Sequence, residues 1–341
     1  MEYRNLGRSG LKISAITYGN WLPGGDPKAA KECVAAALDA GVNSFDTADI
    51  YGRPDFGAGE RVLGEALAGV RRESVVIGTK VCLPVGDGPN DRGLSRKHIT
   101  ESCHASLRRL GTDHIDLYQA HRFDADTPLE ETMVAFADLV HQGHVGYIGV
   151  SEWTAPRIRV AAALATELRI PLVSNQPQYS MLWRIIEPQV VPACEELGLS
   201  QIVFSPLAQG VLTGKYPPGR PAPTDTRAGS ERGADFVGRY MSEAVLSAVQ
   251  RLRPIAEELG TNLARLALAW VLGRPNVASA VMGASRPDQI RDNVAALELS
   301  LDDEVCKRID EALVDPGHGD LVERDADKTA RMFDVMPAWR R

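Results

Sequence analysis

Cysteine is scarce and scattered in this chain. The five cysteines, Cys33, Cys82, Cys103, Cys194 and Cys306, are odd in number and form no Cys-x-x-Cys pair. That excludes a disulfide scaffold or a zinc knuckle and suits a reducing compartment. Long apolar runs are also missing. The longest clearly apolar stretch, residues 266–272, has seven residues, whereas a membrane-spanning helix needs about 20. Residues 1–7 hold no apolar signal core, so the expectation is a soluble, cytoplasmic protein. There is no excess of positive charge. Lys and Arg number 38 against 45 Asp and Glu, a net of −7. Such a field is poor at gripping nucleic acid or an anionic membrane, although a local basic patch can still hold a nucleotide phosphate. The seven histidines show no His-x-His or His-Glu-x-x-His spacing, so no metal is expected.

What is present is ample apolar material, 44% of 341 residues, enough for a large core and against global disorder. The length allows two or three domains, or one α/β barrel. Short apolar runs at residues 15–19, 43–46, 75–80, 115–119, 147–150, 172–175, 201–204 and 278–282 read as strands buried on both faces. Helical patterns fall between them, as at 29–40, 96–110 and 129–142, each closed by glycine, with Ser95 a good N-cap. Eight strands, each followed by a helical segment, point to an α/β fold, a (β/α)8 barrel, with a doubly wound sheet as the competing architecture. Residues 3–6 and 11–14 flank Gly7-Arg8-Ser9-Gly10 and read as a β-hairpin. The expected division is therefore a hairpin over 1–14, the barrel over 15–300, and a helix with a charged tail over 301–341, lying along a barrel face. A stretch rich in Gly, Pro and Arg between 207 and 240 exceeds an ordinary connection and reads as a functional loop.

In a barrel the chemistry sits at the C-terminal ends of the strands. The second predicted strand ends at Asp46, with Tyr51 in the loop beyond it; the third ends at Lys80, and His121 follows the fourth. Singly, each has an ordinary role: a cap, a loop anchor, a surface charge, a backbone-bonded imidazole. Jointly, four proton-handling groups at neighbouring strand ends point to an active site. A phenol near its ordinary pKa of roughly 10 is a weak acid at neutral pH, and an adjacent lysine cation is expected to lower it. Asp46 would supply the carboxylate that a buried lysine needs. A neutral histidine could orient a carbonyl by donating to its developing oxyanion. Tyr51 could then protonate that oxygen as hydride reaches carbon. No side chain supplies hydride, so a nicotinamide would.

At these residues the sequence resembles the aldo-keto reductase superfamily, from Tyr3 to about Leu299. The matching pieces are Leu6-Gly7-Arg8-Ser9-Gly10-Leu11, Phe45-Asp46-Thr47-Ala48 with Tyr51-Gly52, Gly78-Thr79-Lys80, and Asp116-Leu117-Tyr118-Gln119 with His121. They continue with Gly149-Val150-Ser151, Asn175-Gln176, the run from Ser205 to Tyr216, and Met282-Gly283-Ala284-Ser285-Arg286-Pro287. The Ser205–Tyr216 run looks most like the branch holding bacterial general aldo-keto reductases and potassium-channel β subunits.

The resemblance implies a barrel, NADP(H) as cofactor, a small carbonyl substrate, and Asp46, Tyr51, Lys80 and His121 as a catalytic tetrad with Tyr51 the proton donor. It implies that Gly19, Asn20 and Asp46 contact the cofactor, that Ser151 and Gln176 hold the nicotinamide carboxamide, and that Phe204 lies against the nicotinamide face. Ser205, Pro206, Leu207, Gln209 and Gly210 would begin the loop over the pyrophosphate, with Lys215 on a phosphate. Gly283, Ser285, Gln289, Asp292 and Asn293 would grip the adenosine end. Arg227 and Arg286 could add charge-assisted bonds to a 2′-phosphate, or simply be solvated. Glu152 departs from the Asn or Arg usual at its position; it could accept from the carboxamide or turn to solvent. Gly57-Ala58-Gly59-Glu60-Arg61-Val62 begins like a dinucleotide fingerprint, fails at its last position, and reads as a loop entering a helix. Trp21 and Trp153, with Tyr51 and His121, are candidates to line a substrate mouth, with Trp183 a further candidate; packing is the alternative for each tryptophan, and Trp270 reads as core. Three functions compete: a reductase, a redox-sensing NADPH-binding subunit, and a Schiff-base aldolase using Lys80. A homo-oligomer stays open.

Overall fold

The computed structural model describes residues 1–21, 27–52, 54–224, 226–229 and 231–328, with 231–234 described by backbone only. Residues 329–341 of the expected tail, and 225 and 230 of the long loop, lie outside the described residues. The chain opens with β1 (Tyr3–Asn5) and β2 (Lys12–Ser14), an antiparallel hairpin in which Tyr3 faces Ser14. Then strand and helix alternate: β3 (Ile16–Gly19), α1 (Pro27–Asp39), β4 (Ser44–Asp46), α2 (Ala58–Leu67), β5 (Val76–Val81), α3 (Arg96–Leu110), β6 (Ile115–Ala120) and α4 (Leu129–His141). The second half runs β7 (Val145–Val150), α5 (Ala155–Glu167), β8 (Leu172–Asn175), α6 (Val190–Leu197) and β9 (Ser200–Val203). After β9 come four helices, α7 (Glu231–Gly238), α8 (Glu243–Arg251), α9 (Arg253–Glu258) and α10 (Leu263–Leu272), before β10 (Val277–Met282). The chain then forms α11 (Pro287–Val294), α12 (Asp303–Ala312), β11 (Val314–Asp315) and β12 (Gly319–Asp320).

The eight strands β3 to β10 close into a parallel barrel, sealed where Ala280 of β10 pairs with Ile16 of β3. This is the (β/α)8 architecture, and it excludes the doubly wound sheet. The helices form because their apolar faces pack on the barrel, and α3 is capped at both ends as the sequence indicates. The Ser95 side chain accepts from the His98 N–H at the start of α3, and Gly111 closes that helix in the left-handed conformation. α10 is the exception to amphipathicity, with Trp270 and seven other residues buried, so it is apolar nearly all round.

Within a strand, alternate residues point inward. Val76, Leu117, Val173, Ile202 and Ala278 fill the lower barrel, and Leu6 and Ile13 of the hairpin pack against them as a plug. Further along, the inward residues turn polar and stay buried: Lys80 lies four positions past Val76 on β5, and Gln119 and Asn175 lie two positions past Leu117 on β6 and Val173 on β8. The apolar floor and polar ceiling confine any chemistry to the C-terminal end. The stretch between 207 and 240 is more ordered than a bare loop, with short helical turns at Ala208–Thr213 and Arg227–Gly229 before α7. Beyond β12 the chain docks on the loop after β8, where the Arg184 N–H donates to the Glu323 carbonyl at 2.7 Å. Among the described residues no helix is long and apolar enough to cross a membrane.

Candidate active site

Asp46 ends β4, Lys80 lies near the end of β5, and His121 follows β6 directly, so hydrogen bonding between these three strands fixes their spacing. Tyr51 is held in its loop by its N–H to Ala48 O (3.1 Å), while Gly59 N–H donates to Tyr51 O (3.1 Å). The structure brings all four together. Lys80, fully buried, donates from Nζ to Asp46 Oδ2 at 2.6 Å, to Thr47 O at 2.7 Å and to Tyr51 Oη at 3.4 Å. The His121 ring meets the Tyr51 ring edge-on, 5.8 Å between centroids.

The electrostatics differ from the sequence expectation in one respect. Burial pushes the Tyr51 phenol above its ordinary value, and the Lys80 ammonium pulls it back only in part. The expected net lowering is thus reversed, because loss of water costs the phenolate more than the cation returns. Burial also works against the charge on Lys80, but Asp46 and then Tyr51 outweigh it and hold the ammonium above its usual value. Burial, then Arg122 and Lys80, hold His121 well below its usual value, so it is neutral and can donate one N–H.

Ser151 and Gln176 are joined: Ser151 Oγ donates to Gln176 O at 2.8 Å, and Gln176 Nε2 donates to Asp46 Oδ1 at 2.8 Å. Gly19 pairs with Asp46 across the strands, and Asn20 braces the loop by donating to Gly59 O at 2.7 Å. Glu152 does not turn to solvent. It is 3% exposed, and its carboxylate accepts from the Gln178 N–H at 2.6 Å. Phe204 is half-buried just past β9, bridged to Gln178. After it, backbone φ turns positive at Ser205, Ala208, Gln209 and Gly210. Backbone N–H groups in such a run form a concavity suited to an anion. Gly210, at φ +96°, sits where an added Cβ would lie 3.1 Å from Lys215 Nζ, so glycine lets the ammonium approach the loop. Leu207 and Pro206 begin this turn, Gln209 donates to Ser205 Oγ, and Arg227 bonds Gln209 and lies over the Trp21 ring at 4.9 Å. This donor set fits the pyrophosphate of a dinucleotide.

The residues expected at the adenosine end are spread over the turn before α11 and along that helix. Ser285 N–H donates to Gln289 Oε1 at 2.9 Å, beside Gly283, and exposed Arg286 pairs with Asp288 at 3.2 Å. Asp292 is held by Arg265 at 2.5 Å and by Asn262, and buried Asn293 donates to Met282 Sδ. Trp21 stands at the mouth against Phe236, 5.3 Å between centroids. Trp153 is 1% exposed and packs edge-on against Phe123, and Trp183 is buried beneath Arg239 and Lys328, so both are placed in the packing of the barrel top. Among the described residues no cluster of His, Cys, Asp or Glu could hold a metal.

Sequence reasoning missed Gln119, which shares the inward face of β6 with His121 and which a period-two reading from His121 would have found. It also missed a second charged group beside these four residues. Glu60, fully buried on α2, accepts from Thr79 Oγ1 at 2.6 Å and Arg109 Nε at 2.5 Å. Asp49 is 1% exposed, and burial, then Glu60, push its carboxyl well above the usual range. Its folded value exceeds its unfolded value of about 3.9, so its stabilising contribution is full below that pH and is lost as pH rises through the folded value. Denaturation measured across acidic to neutral pH is expected to show this decline, and Asp49→Asn is expected to flatten it.

Residues 15–314 match the Aldo/keto reductase family. A protein named "Probable voltage-gated potassium channel subunit beta" from Oryza sativa subsp. japonica is 43% identical over 307 residues, covering 88% of this chain and 92% of that one. "Uncharacterized oxidoreductase YrpG" of Bacillus subtilis (strain 168) is 39% identical over 329 residues, 93% of this chain and 97% of its own. "L-glyceraldehyde 3-phosphate reductase" of Escherichia coli O157:H7 is 34% identical over 336 residues, 96% of each.

Proposed function

The chain belongs to the aldo/keto reductase family, and from that premise we propose that it reduces aldehydes or ketones to alcohols with NADPH, Tyr51 donating the proton. The observation that carries this reading is the hydrogen-bonded line Asp46–Lys80–Tyr51 at the open end of the barrel, with the His121 ring against the phenol. When bound, NADPH supplies hydride to the carbonyl carbon. The chain's own residues do the rest. Neutral His121 donates to the carbonyl oxygen and orients it. Tyr51 holds the proton at Oη through neutral pH and gives it to that oxygen. Lys80 then stabilises the phenolate left behind, and Asp46 keeps the Lys80 charge in place.

Ser151 and Gln176 would hold the carboxamide, and the turn at Ser205–Gly210 with Lys215 the pyrophosphate. Arg227 and Arg286 would favour a 2′-phosphate, which NADH lacks. A redox-sensing, slowly turning subunit is the second reading, favoured by the 43% identity to a channel-subunit relative.

A panel of aldehydes, ketones and sugars assayed with NADPH and NADH in parallel separates the two. The reductase reading expects aldehyde-dependent oxidation of NADPH, with NADH poorer. Tight NADPH binding without turnover of any carbonyl would support the second reading.

A further inference from the structure

We infer that Gln119 is a positioning residue of this site, whose amide fixes the Asp46 carboxylate and, through it, Lys80 and Tyr51. The inference rests on the reductase reading. A carboxylate is free to turn about its terminal torsion, which is broad, and the line to Tyr51 needs one oxygen kept for Lys80. That oxygen is Oδ2, at 2.6 Å from Nζ. Oδ1 is held by two neutral amides, Gln176 Nε2 at 2.8 Å and Gln119 Nε2 at 3.4 Å.

The two amides are not equivalent. Gln176 has a second claim on it, the nicotinamide carboxamide. Gln119 is fully buried inside the barrel, and the hydrogen bond described for its side chain goes to Asp46. It is therefore the donor dedicated to that carboxylate. The neighbouring strand is shaped to admit it. A Cβ on Gly149 would lie 3.1 Å from Gln119 Cγ, 3.3 Å from its Oε1 and 2.5 Å from Ser174 Oγ. Only glycine leaves room for the long amide beside Ser174, the usual meaning of glycine inside a strand that another group must approach closely. Register does the remainder: Gln119 faces Lys80 across β5 and β6 and lies two positions before His121 on the same inward face.

The test compares Gln119→Met, which keeps length without a donor, with Gln119→Glu. The titratable groups facing this position are Asp46 of β4, Lys80 of β5 and His121, just past the end of its own strand. Gln119→Met is expected to lower kcat about tenfold, the loss of one hydrogen bond to a charged group, with KM and NADPH affinity changed less than about twofold. A glutamate buried beside Asp46 keeps its proton at acidic pH and can then donate to Oδ1. The kcat of Gln119→Glu relative to wild type is therefore expected to be highest at low pH and to fall as pH rises. Should Gln119→Met fail to fold, the pH trend of Gln119→Glu carries the test alone.

Wild-type kcat in Gln119→Met, or a Gln119→Glu ratio flat across pH, overturns the inference. A wild-type protein that turns over no carbonyl overturns the reductase reading, and this inference with it.

Discussion

Tyr51→Phe is expected to cut carbonyl turnover about 10²–10⁴-fold, the usual worth of a positioned general acid, while NADPH still binds. The substitution removes one oxygen. It keeps the ring that meets His121 edge-on and loses only the 3.4 Å hydrogen bond from Lys80. Thermal unfolding should therefore move little, and cofactor titration by fluorescence should give nearly the wild-type affinity. The direction of the Tyr51 shift adds a second readout. Because burial lifts the phenol above its ordinary value, the protonated form persists through neutral pH. Turnover limited by this group should hold there and decline only on the alkaline side. Undiminished turnover in the Phe variant would remove Tyr51 from the chemistry.

Lys80→Met is expected to damage both folding and activity. Removing one partner of a buried ion pair leaves the other charge without its counterion, typically at a cost of 3–5 kcal/mol. Here about 3 kcal/mol is expected, because Gln176 and Gln119 still donate to Asp46. Turnover should fall steeply, since the phenolate loses its neighbouring cation. Denaturant unfolding measures the first effect and steady-state kinetics the second. Adding Asp46→Leu should recover much of the stability and none of the turnover, since an apolar pair can replace a buried ionic one. The pH window follows from the raised Lys80 value. Its stabilising contribution is full below the unfolded value of about 10.4 and is lost as pH rises through the folded value, so it is flat across the neutral range. Asp49 has the same sign, but its contribution begins to decline above about pH 3.9, far below where that of Lys80 does.

The barrel strands were legible because burial on both faces writes a short, uniformly apolar run, and every such run lies in the ring. Boundaries moved by one or two residues, as where β7 starts at Val145 and where β9 runs Ser200–Val203 and Phe204 makes only an isolated bridge. Asp46, Lys80 and His121 were legible because strand ends carry an inward polar residue where the floor carries an apolar one, and Tyr51 because it lies in the loop just past Asp46. The sign of the Tyr51 shift was not, because it depends on how much water the folded site excludes. Asp49 and Glu60 were illegible for the same reason. In one dimension a buried acid looks like an exposed one, and only the packing of α2 and α3 against β5 places them in the dry interior. The length of the β9 connection was plain, but not its division into turns and α7, since Gly, Pro and Arg mark punctuation without showing what lies between.

The hairpin that seals the barrel floor also imposes an order of assembly. Arg4 donates to the carbonyls of Leu272 and Val277, at sequence separations of 268 and 273, and β3 must pair with β10 before the ring is complete. On a ribosome these partners emerge long after the hairpin. The hairpin is thus made well before its contacts exist, and during that wait the apolar side chains of Leu6 and Ile13 have no floor to cover. Closure links the two ends of the barrel in a single long-range step, which makes for high contact order and slow folding. The nascent chain must meanwhile be kept from pairing its exposed strand edges with another copy.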